Sequence, residues 1–345
     1  MTKKSRKIIG SIIGVTLFLT LLATMAIGNY FINYALVPNR GAEERELVTE
    51  VLPQGVESQQ GSIELLIQNN RIREIEVAED WHDEITPIKE KVQITSKDDL
   101  NLVGHTFFQP EKTNQWVVLS HGYQGTEEGM HPTARRYYEE GYNLLTYDQR
   151  AMDESEGKFI TMGIEESEDL ILWLNALLEE YPQAEIVSHG VSMGAATVLI
   201  ASGQVNFPDA VKAVIADCSY SSVWGVFKSE LYHRFQLPDF PFLHMAGIVG
   251  IPRVGINLFG VEGDVTHYTN QSKTPTLFIH GTADDFVPYP MVHELYEAYS
   301  GESKELYTVE GAGHAKSEFL NPEAYFEKIF DFIEQSENDK AFEAV

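Results

Sequence analysis

The chain has 345 residues, 43% of them hydrophobic, so it is long enough for one large domain with a substantial core or for two small ones. It carries 25 basic and 52 acidic residues, a formal net charge of −27 at pH 7. All the acids lie beyond residue 40, which leaves residues 41–345 with 20 basic residues and a net charge of about −32. So acidic a surface repels nucleic acid and anionic lipid headgroups, which excludes nucleic acid as an expected partner.

The N-terminus predicts one transmembrane helix. Four basic residues fall within residues 1–7, and the apolar run from Ile8 to Ile27 would span roughly 30 Å as a helix. We assign 1–7 to a cytoplasmic tail and 8–30 to an uncleaved signal-anchor, because basic residues before the apolar run orient the rest of the chain outside the cell. A cleaved signal peptide, cut near Thr24-Met25-Ala26, is the alternative.

The rest of the chain divides into a lead-in and a large domain. Residues 31–89 are acidic and mixed in composition, and they predict an extracellular stalk and lead-in that is partly helical. From residue 90 to 345, short apolar runs alternate with longer amphipathic ones. This alternation predicts an α/β fold, with a mostly parallel central sheet and helices on both faces.

The predicted elements of the domain can be placed individually. An antiparallel pair at 92–95 and 102–108 opens it, and helical patterns of apolar residues occur at 164–178 and near 325–333. Residues 218–272 break the rhythm with aromatic residues, prolines and glycines, and they predict a helical cap insertion, either a lid or a packing excursion. Further strands are predicted at 116–119, 142–146, 185–187, 211–216, 276–279 and 305–308.

Cofactor chemistry has little support in the sequence. The single cysteine, Cys218, rules out an intramolecular disulfide, and its position after an apolar strand predicts a buried small side chain. The chain has no paired cysteines, no His-Glu-x-x-His, no P-loop and no dinucleotide glycine fingerprint. The sequence therefore predicts no metal and no organic cofactor.

The most informative motif is Gly-Val-Ser-Met-Gly at residues 190–194, between a predicted strand and a helix-like stretch. Glycine-sized neighbours allow the sharp strand-to-helix turn that exposes a serine as a nucleophile. Ser192 needs a base and an orienting carboxylate. An acid follows a later strand at Asp284, with Asp285 and Asp217 as alternatives, and a glycine-rich loop then carries His314.

Five motifs occur in chain order: Ser-His-Gly-Tyr at 120–123, Tyr-Asp-Gln-Arg at 147–150, the serine motif at 190–194, Gly-Thr-Ala-Asp at 281–284 with Val-Pro at 287–288, and Gly-His at 313–314. Together they resemble the motifs of the α/β-hydrolases, and the predicted N-terminal anchor makes the chain similar to bacterial membrane-anchored cell-surface serine hydrolases. One departure is the Ala-Met-Asp-Glu-Ser after Arg150, where the family usually has Gly-x-Gly-x-Ser.

The resemblance implies the role of each site residue. Ser192 attacks an acyl carbon, His314 transfers the proton, and Asp284 orients the imidazole, because the family spacing Gly-x-x-Asp-x-x-Val-Pro selects it over Asp285 and Asp217. The backbone N–H groups of Met193 and Tyr123 would form the oxyanion hole. His121, His189 and His280 precede glycines at strand ends and are expected to be packed, hydrogen-bonded residues.

These observations predict an extracellular, membrane-anchored serine hydrolase that cleaves a carboxylic ester or related acyl bond of a small-molecule substrate through an acyl-enzyme. An aromatic-rich cap suits apolar acyl or aryl groups. Two alternatives stay open: a peptidase or amidase on the same triad, and a non-catalytic cell-surface binding module that keeps the fold.

Overall fold

The computed structural model describes residues 3–38, 59–85 and 88–343. Within these ranges, eight strands form one sheet in the order β1-β2-β4-β3-β5-β6-β7-β8. The pairs β1/β2 and β2/β4 are antiparallel and all the others are parallel, so the predicted mostly parallel sheet is confirmed. The strands are β1 Lys89–Thr95, β2 Asn101–Phe107, β3 Gln115–Ser120, β4 Asn143–Tyr147, β5 Glu185–Val191, β6 Val211–Asp217, β7 Thr276–Gly281 and β8 Lys304–Val309.

In the described part of the chain, two helices precede the first strand, three lie in the predicted insertion between β6 and β7, and the others lie between or after the strands and cover the two faces of the sheet. That insertion contains α6, α7 and α8, so the helical cap segment is present where the sequence placed it. The helices are α1 Lys3–Leu36, α2 Gln59–Ile85, α3 His131–Glu139, α4 Ile164–Glu180, α5 Met193–Ser202, α6 Val223–Phe235, α7 Asp239–Val254, α8 Val265–Thr269, α9 Pro290–Ala298, α10 Ser317–Leu320 and α11 Pro322–Glu343.

The central strands are apolar throughout because both faces of the sheet are covered. Side chains alternate across a strand, so Trp116 and Val118 of β3 join one core cluster while Val117 and Leu119 join the other. Helices α4, α5 and α9 pack on the first face, and α3 and α11 pack on the second. This is the burial that makes parallel strands appear in sequence as continuous apolar runs.

Helix α1 is long and apolar enough to cross a membrane, with a mean hydropathy of 2.2 in its most apolar window. It continues past residue 30, the predicted end of the membrane segment, and ends at Leu36. Side chains from Lys4 to Met25 are almost all exposed, whereas Ile32 and Leu36 are buried against the rest of the protein. The helix therefore has an exposed apolar part and a docked part.

Helix α2 lies within the predicted lead-in and packs on the domain. Its Glu74 is 3% exposed and accepts hydrogen bonds from Arg135 (2.6 Å) and Arg136 (3.1 Å) of α3. Its Trp81 is buried and stacks on Phe107 of β2, with 5.9 Å between the ring centroids. The division of residues 31–89 as a stalk stays a prediction, and residues 39–58 and 86–87 of that segment lie outside the described residues.

The segment that departs from the family pattern is held by a buried charge cluster. The guanidinium of Arg150, which is 5% exposed, donates two hydrogen bonds to the carboxylate of Asp169 (2.6 and 2.8 Å) and one to Glu165 (2.7 Å). Asp169 itself is 1% exposed. Two buried charges are compatible with a stable fold only when they neutralise each other and are hydrogen-bonded. Arg150 therefore has a structural role in this loop, because it neutralises the buried Asp169.

We expect Arg150→Met to lower the free energy of unfolding by roughly 3–5 kcal/mol, because Asp169 would stay buried without its cation. The matched control is Lys91→Met, which removes an exposed ion pair with Glu154 and should leave the unfolding midpoint nearly unchanged. Urea unfolding of the full chain in detergent, followed by tryptophan fluorescence, measures both variants. Equal shifts for the two would contradict the assignment.

Candidate active site

Ser192 occupies a strained turn between β5 and α5. Its φ and ψ are 57° and −115°, a region that non-glycine residues rarely adopt and that costs of order 1–3 kcal/mol. Two backbone hydrogen bonds hold the turn: the Ser192 N–H donates to the Asp217 carbonyl (2.8 Å), and the Ser192 carbonyl accepts from the Ala196 N–H (3.1 Å). The side chain is thereby fixed at the carboxyl edge of the sheet.

The two glycines of the motif allow close backbone approach. A Cβ on Gly190 would lie 2.1 Å from the Gly194 carbonyl oxygen, and a Cβ on Gly194 would lie 2.0 Å from the Ser120 carbonyl oxygen. Both distances are far below van der Waals contact. Gly190 is required by packing within the turn and Gly194 by packing of the turn on β3, which is the mechanical reason for their spacing around the serine.

The structure brings together the three side chains predicted from the sequence. Ser192 Oγ lies 2.8 Å from His314 Nε2, and His314 Nδ1 lies 2.8 Å from Asp284 Oδ2. Because an ionised carboxylate only accepts hydrogen bonds, Nδ1 must carry the proton in this contact, and neutral Nε2 is left to accept the serine hydroxyl. The Phe286 ring stacks on His314, with 4.8 Å between the ring centroids.

Asp284 is the carboxylate that contacts His314. Its Oδ1 accepts backbone N–H groups of Phe286 (3.0 Å) and Val287 (2.8 Å). Burial raises the pKa of Asp284, but hydrogen bonds from His280 and His314 outweigh burial and lower that pKa to about 2. The side chain is therefore ionised at neutral pH.

The two alternative acids have other surroundings. Asp285 is exposed on the same turn. Asp217 is buried and accepts a hydrogen bond from the Tyr325 hydroxyl (2.9 Å), and burial raises the pKa of its carboxyl group to about 6. Asp284 is thus the one of these three carboxylates that is hydrogen-bonded to His314.

His280 makes a contact that sequence reasoning did not identify. It lies at the end of β7 with its Nε2 3.2 Å from Asp284 Oδ2 and 3.0 Å from the Val287 carbonyl oxygen, so Asp284 stands between two histidines. Burial lowers the pKa of His280, but the interaction with Asp284 outweighs it and raises that pKa. The sequence places His280 four residues before Asp284, and this spacing could have indicated the contact. The sequence analysis expects only a packed histidine at the end of the strand.

His121 and His189 are packed, hydrogen-bonded histidines, as the sequence analysis expects. His121 Nε2 accepts the Gln149 N–H (2.9 Å), and His189 Nδ1 lies 3.2 Å from the Tyr137 hydroxyl. Burial lowers the pKa of His121 to about 4 and that of His189 to about 3. Both imidazoles are therefore neutral structural groups near the site.

The predicted oxyanion donors belong to Met193, which follows Ser192 directly, and to Tyr123, which follows Gly122. Met193 is the first residue of α5, so its N–H has no partner within the helix. Tyr123 follows Gly122, whose position is so close to the serine that an added Cβ would lie 3.5 Å from Ser192 Cβ. The hydroxyl of Tyr123 donates a hydrogen bond to the Ala35 carbonyl of α1. The oxyanion roles themselves stay predictions.

Helix α2 braces the loop that carries His314. The Gln60 side-chain amide donates to the Gly311 carbonyl (3.1 Å), and Lys316 Nζ lies 2.6 Å from Glu64 Oε2. These contacts hold the loop on both sides of the histidine. Sequence patterns gave no signal for them, because α2 and the loop are about 250 positions apart.

A pocket opens beside Ser192, and we call it the apolar pocket. Ser192 and Met193 form part of its lining, and most of the other lining side chains are aliphatic or aromatic, the kind of surface that binds apolar groups. Its two charged side chains, Glu230 and Arg234, form an ion pair with each other. The lining residues are Phe31, Ile32, Tyr34, Ala35, Leu36, Tyr123, Met162, Ser192, Met193, Tyr220, Val226, Phe227, Glu230, Leu231, Arg234, Phe235, Leu243, Ala246, Phe259 and Phe286.

Among the described residues, one group has the spacing of metal ligands: Cys218, Asp284 and His314 each offer an atom within 4.8 Å of the others. Asp284 and His314 are already hydrogen-bonded to each other. Burial raises the pKa of the Cys218 thiol well above its usual value, so the sulfur stays protonated and is a poor metal ligand. The donor set fits a hydrogen-bonded relay better than a metal.

Known proteins resemble this chain in sequence and fold. Residues 115–241 match the family described as the alpha/beta hydrolase fold. The uncharacterised protein YqkD of Bacillus subtilis is 28% identical over 226 residues, 65% of this chain and 73% of YqkD. The uncharacterised membrane protein YNL320W of Saccharomyces cerevisiae is 23% identical over 199 residues, 57% of this chain and 62% of the yeast protein. The Pyrococcus furiosus esterase Pf2001 superimposes with a TM-score of 0.60 at 26% identity, over 74% of this chain and 95% of the esterase.

We expect Gly194→Ala to lower the free energy of unfolding by at least about 2 kcal/mol, because the added methyl group would meet the Ser120 carbonyl in a packed interior. The matched control is Gly129→Ala, where the nearest atom would be 4.0 Å away, and its effect should stay within about 0.5 kcal/mol. Thermal unfolding of the two variants measures the difference. A Gly194→Ala protein as stable as the control would show that the turn is not constrained by this contact.

Proposed function

Because the chain belongs to the α/β-hydrolase superfamily, we propose that it is a serine hydrolase that cleaves a carboxylic ester or related acyl bond. The observation that carries the proposal is the continuous hydrogen-bonded relay from Ser192 Oγ through His314 to a buried, ionised Asp284. A serine hydroxyl becomes a nucleophile when a positioned base takes its proton. The relay supplies that base in the required tautomer.

The reaction has two halves. Ser192 Oγ bonds to the acyl carbon while its proton moves to His314 Nε2, and the negative charge on the carbonyl oxygen is met by the N–H groups of Met193 and Tyr123. His314 then gives the proton to the leaving alcohol, and an acyl-enzyme remains. Water repeats the sequence: it loses a proton to His314, attacks the acyl carbon, and releases the carboxylic acid as Ser192 recovers its proton.

The apolar pocket supports an ester of an apolar acyl group over a peptide. A peptide chain brings a donor and an acceptor at every residue, and each loses hydration when it is buried. The pocket lining is mostly aliphatic and aromatic, and its charged pair, Glu230 and Arg234, is internally neutralised. An acyl chain needs only the apolar contact that this lining provides.

We also propose that α1 anchors the enzyme in the cell membrane with the catalytic domain outside. The exposed apolar part of α1 supports the anchor, and the basic residues before it support a cytoplasmic N-terminus. The acidic domain supports a membrane attachment that depends on the helix rather than on charge attraction to anionic lipids.

A fluorophosphonate probe should label the full-length protein on Ser192, and Ser192→Ala should abolish the adduct, because the probe reacts with an activated serine. Mass spectrometry of the probe adduct checks this prediction.

Turnover of a short-chain nitrophenyl ester should fall at least about a thousandfold in His314→Ala and about ten-thousandfold in Asp284→Asn, because the first variant removes the base and the second removes the carboxylate that orients it. A chromogenic assay measures the turnover.

Asp285→Asn is the matched control for Asp284→Asn, since it removes an exposed neighbouring carboxylate and should leave turnover within about twofold. Equal losses for the two variants would defeat the assignment of the acid. Failure of the probe to modify Ser192 would favour a non-catalytic binding module on the same fold.

For topology, we expect a membrane-impermeant maleimide on intact cells to label Val205→Cys, a fully exposed position on the domain, but not Ser5→Cys in the basic tail. The unsubstituted chain is the control, because its one cysteine, Cys218, is buried. The reverse labelling pattern would place the domain in the cytoplasm. Mass analysis of the purified chain reports whether the first helix is retained.

A further inference from the structure

We propose that the end of α1 is a wall of the apolar pocket and that the enzyme draws a long-chain acyl ester of a membrane glycerolipid into this pocket directly from the bilayer. The wall, which we call the anchor wall, consists of Phe31, Ile32, Tyr34, Ala35 and Leu36. The inference rests on the proposed esterase function and on the membrane anchor, and it adds the substrate class and its route.

The two parts of α1 have different surroundings. Ile12, Leu17 and Leu22 are each at least half exposed, as expected of a segment whose apolar surface meets lipid. Beyond Ile27 the helix docks, and its buried positions Ile32 and Leu36 are spaced one turn apart on one face. One continuous helix therefore joins the predicted bilayer segment to the protein interior.

Close packing between α1 and α7 fixes the docked part. A Cβ on Gly28 would lie 2.5 Å from the Met245 carbonyl oxygen and 2.5 Å from Val249 Cγ2. A Cβ on Gly250 would in turn lie 3.1 Å from the Ile32 side chain. Glycines on both helices thus permit the backbones to approach, which is how packed helices maximise contact where little else drives association.

Polar contacts add a fixed register to this packing. Arg253 near the end of α7 donates hydrogen bonds to the side-chain oxygens of Asn29 (2.7 Å) and Asn33. The Leu36 carbonyl, at the end of α1, accepts the Ile160 N–H (2.8 Å). Hydrogen bonds therefore hold the docked part near its beginning and at its end, and the anchor wall has a fixed position in the pocket.

The anchor wall and the reacting serine line the same apolar pocket. Its aromatic side chains pack on the cap: Phe31 and Tyr34 contact the Phe235 ring, with centroid distances of 5.5 and 5.2 Å. Ser192 and Met193 lie in the same pocket lining. The Tyr123 hydroxyl on the Ala35 carbonyl ties the anchor wall to the loop expected to supply an oxyanion donor.

With α1 anchored in the membrane as proposed, the pocket lies next to the bilayer. Ile27 ends the apolar run, and Phe31 lies four residues later, roughly 6 Å along the helix at about 1.5 Å per residue. The neighbouring helix α7 also presents exposed apolar side chains, Ile248 and Ile251, which are 62% and 48% exposed. The cap therefore adds exposed apolar side chains on a helix that packs directly against α1.

A long acyl chain gains from this arrangement because each methylene that leaves lipid for water costs free energy. A pocket whose wall is the emerging anchor lets the chain move from one apolar environment to another. A short or water-soluble ester has no such need. The structure therefore favours lipid esters, with the acyl chain against the anchor wall and the carbonyl carbon at Ser192.

The first test uses the full-length protein reconstituted in phosphatidylcholine vesicles. A fluorogenic dioleoyl glycerolipid is placed either in the same vesicles as the enzyme or in separate vesicles mixed with them. We expect hydrolysis at least tenfold faster in the same-vesicle arrangement, whereas a soluble acetate ester added to either mixture is hydrolysed at equal rates. Equal rates for the glycerolipid, or no hydrolysis of it beside active acetate turnover, would overturn the inference.

The second test locates the chain. A long-chain alkyl fluorophosphonate with a terminal diazirine is attached to Ser192 and photolysed, and the cross-linked peptides are mapped. We expect cross-links to the anchor wall. A Ser192 adduct with cross-links elsewhere but none on α1 overturns the inference alone, whereas failure to form any Ser192 adduct overturns the proposed function and the inference with it.

A substitution series separates the pocket wall from the rest of the helix. We expect Ala35→Trp, which fills the pocket, to lower the ratio of kcat/KM for dodecanoate to that for acetate at least tenfold. Leu17→Trp, on the exposed part of the same helix, should change this ratio less than twofold. A ratio unchanged in Ala35→Trp would show that the chain does not contact the anchor wall.

Discussion

The tight turn between β5 and α5 is the constraint on which the rest of the site depends. It holds Ser192 in a backbone conformation that is unfavourable for a residue with a side chain, and the surrounding hydrogen bonds and glycine contacts compensate for it. Because β3, β5, β6, β7 and β8 are parallel, the loops that follow them meet at one edge of the sheet. The acid and the histidine reach the serine from that edge, although they lie far from it in sequence.

Burial has opposite outcomes for two acids near this edge. Asp284 and Asp217 are both buried, and burial alone disfavours their charged forms. Asp284 receives hydrogen bonds from two backbone N–H groups and from histidines, and it stays charged, whereas Asp217 has a tyrosine hydroxyl and its pKa rises. The number and kind of hydrogen-bond donors around each carboxylate therefore determine whether it stays ionised when it is buried. An ionised carboxylate is the form that can stabilise a protonated histidine.

The sheet and the three residues of the relay could be predicted from the sequence because each has a local signal. Apolar runs identified the strands, and Ser192, Asp284 and His314 each follow one of them beside glycines. The contacts of His280, Gln60 and the end of α1 could not be predicted, because they arise from the packing of segments distant in sequence. Composition predicts that the membrane segment ends at residue 30. In the structure the same helix continues to Leu36, and its last residues line the pocket beside Ser192.

The docking of α1 affects how the enzyme can be produced and studied. Expression of a soluble domain that begins after the first helix would remove five of the residues that line the apolar pocket and would expose the Phe235 ring, which Phe31 and Tyr34 cover, to water. Chain-length preferences measured on such a fragment would describe an open cleft. A chain that begins after Ala26 would instead keep the docked turns of the helix and every residue of α1 that lines the pocket.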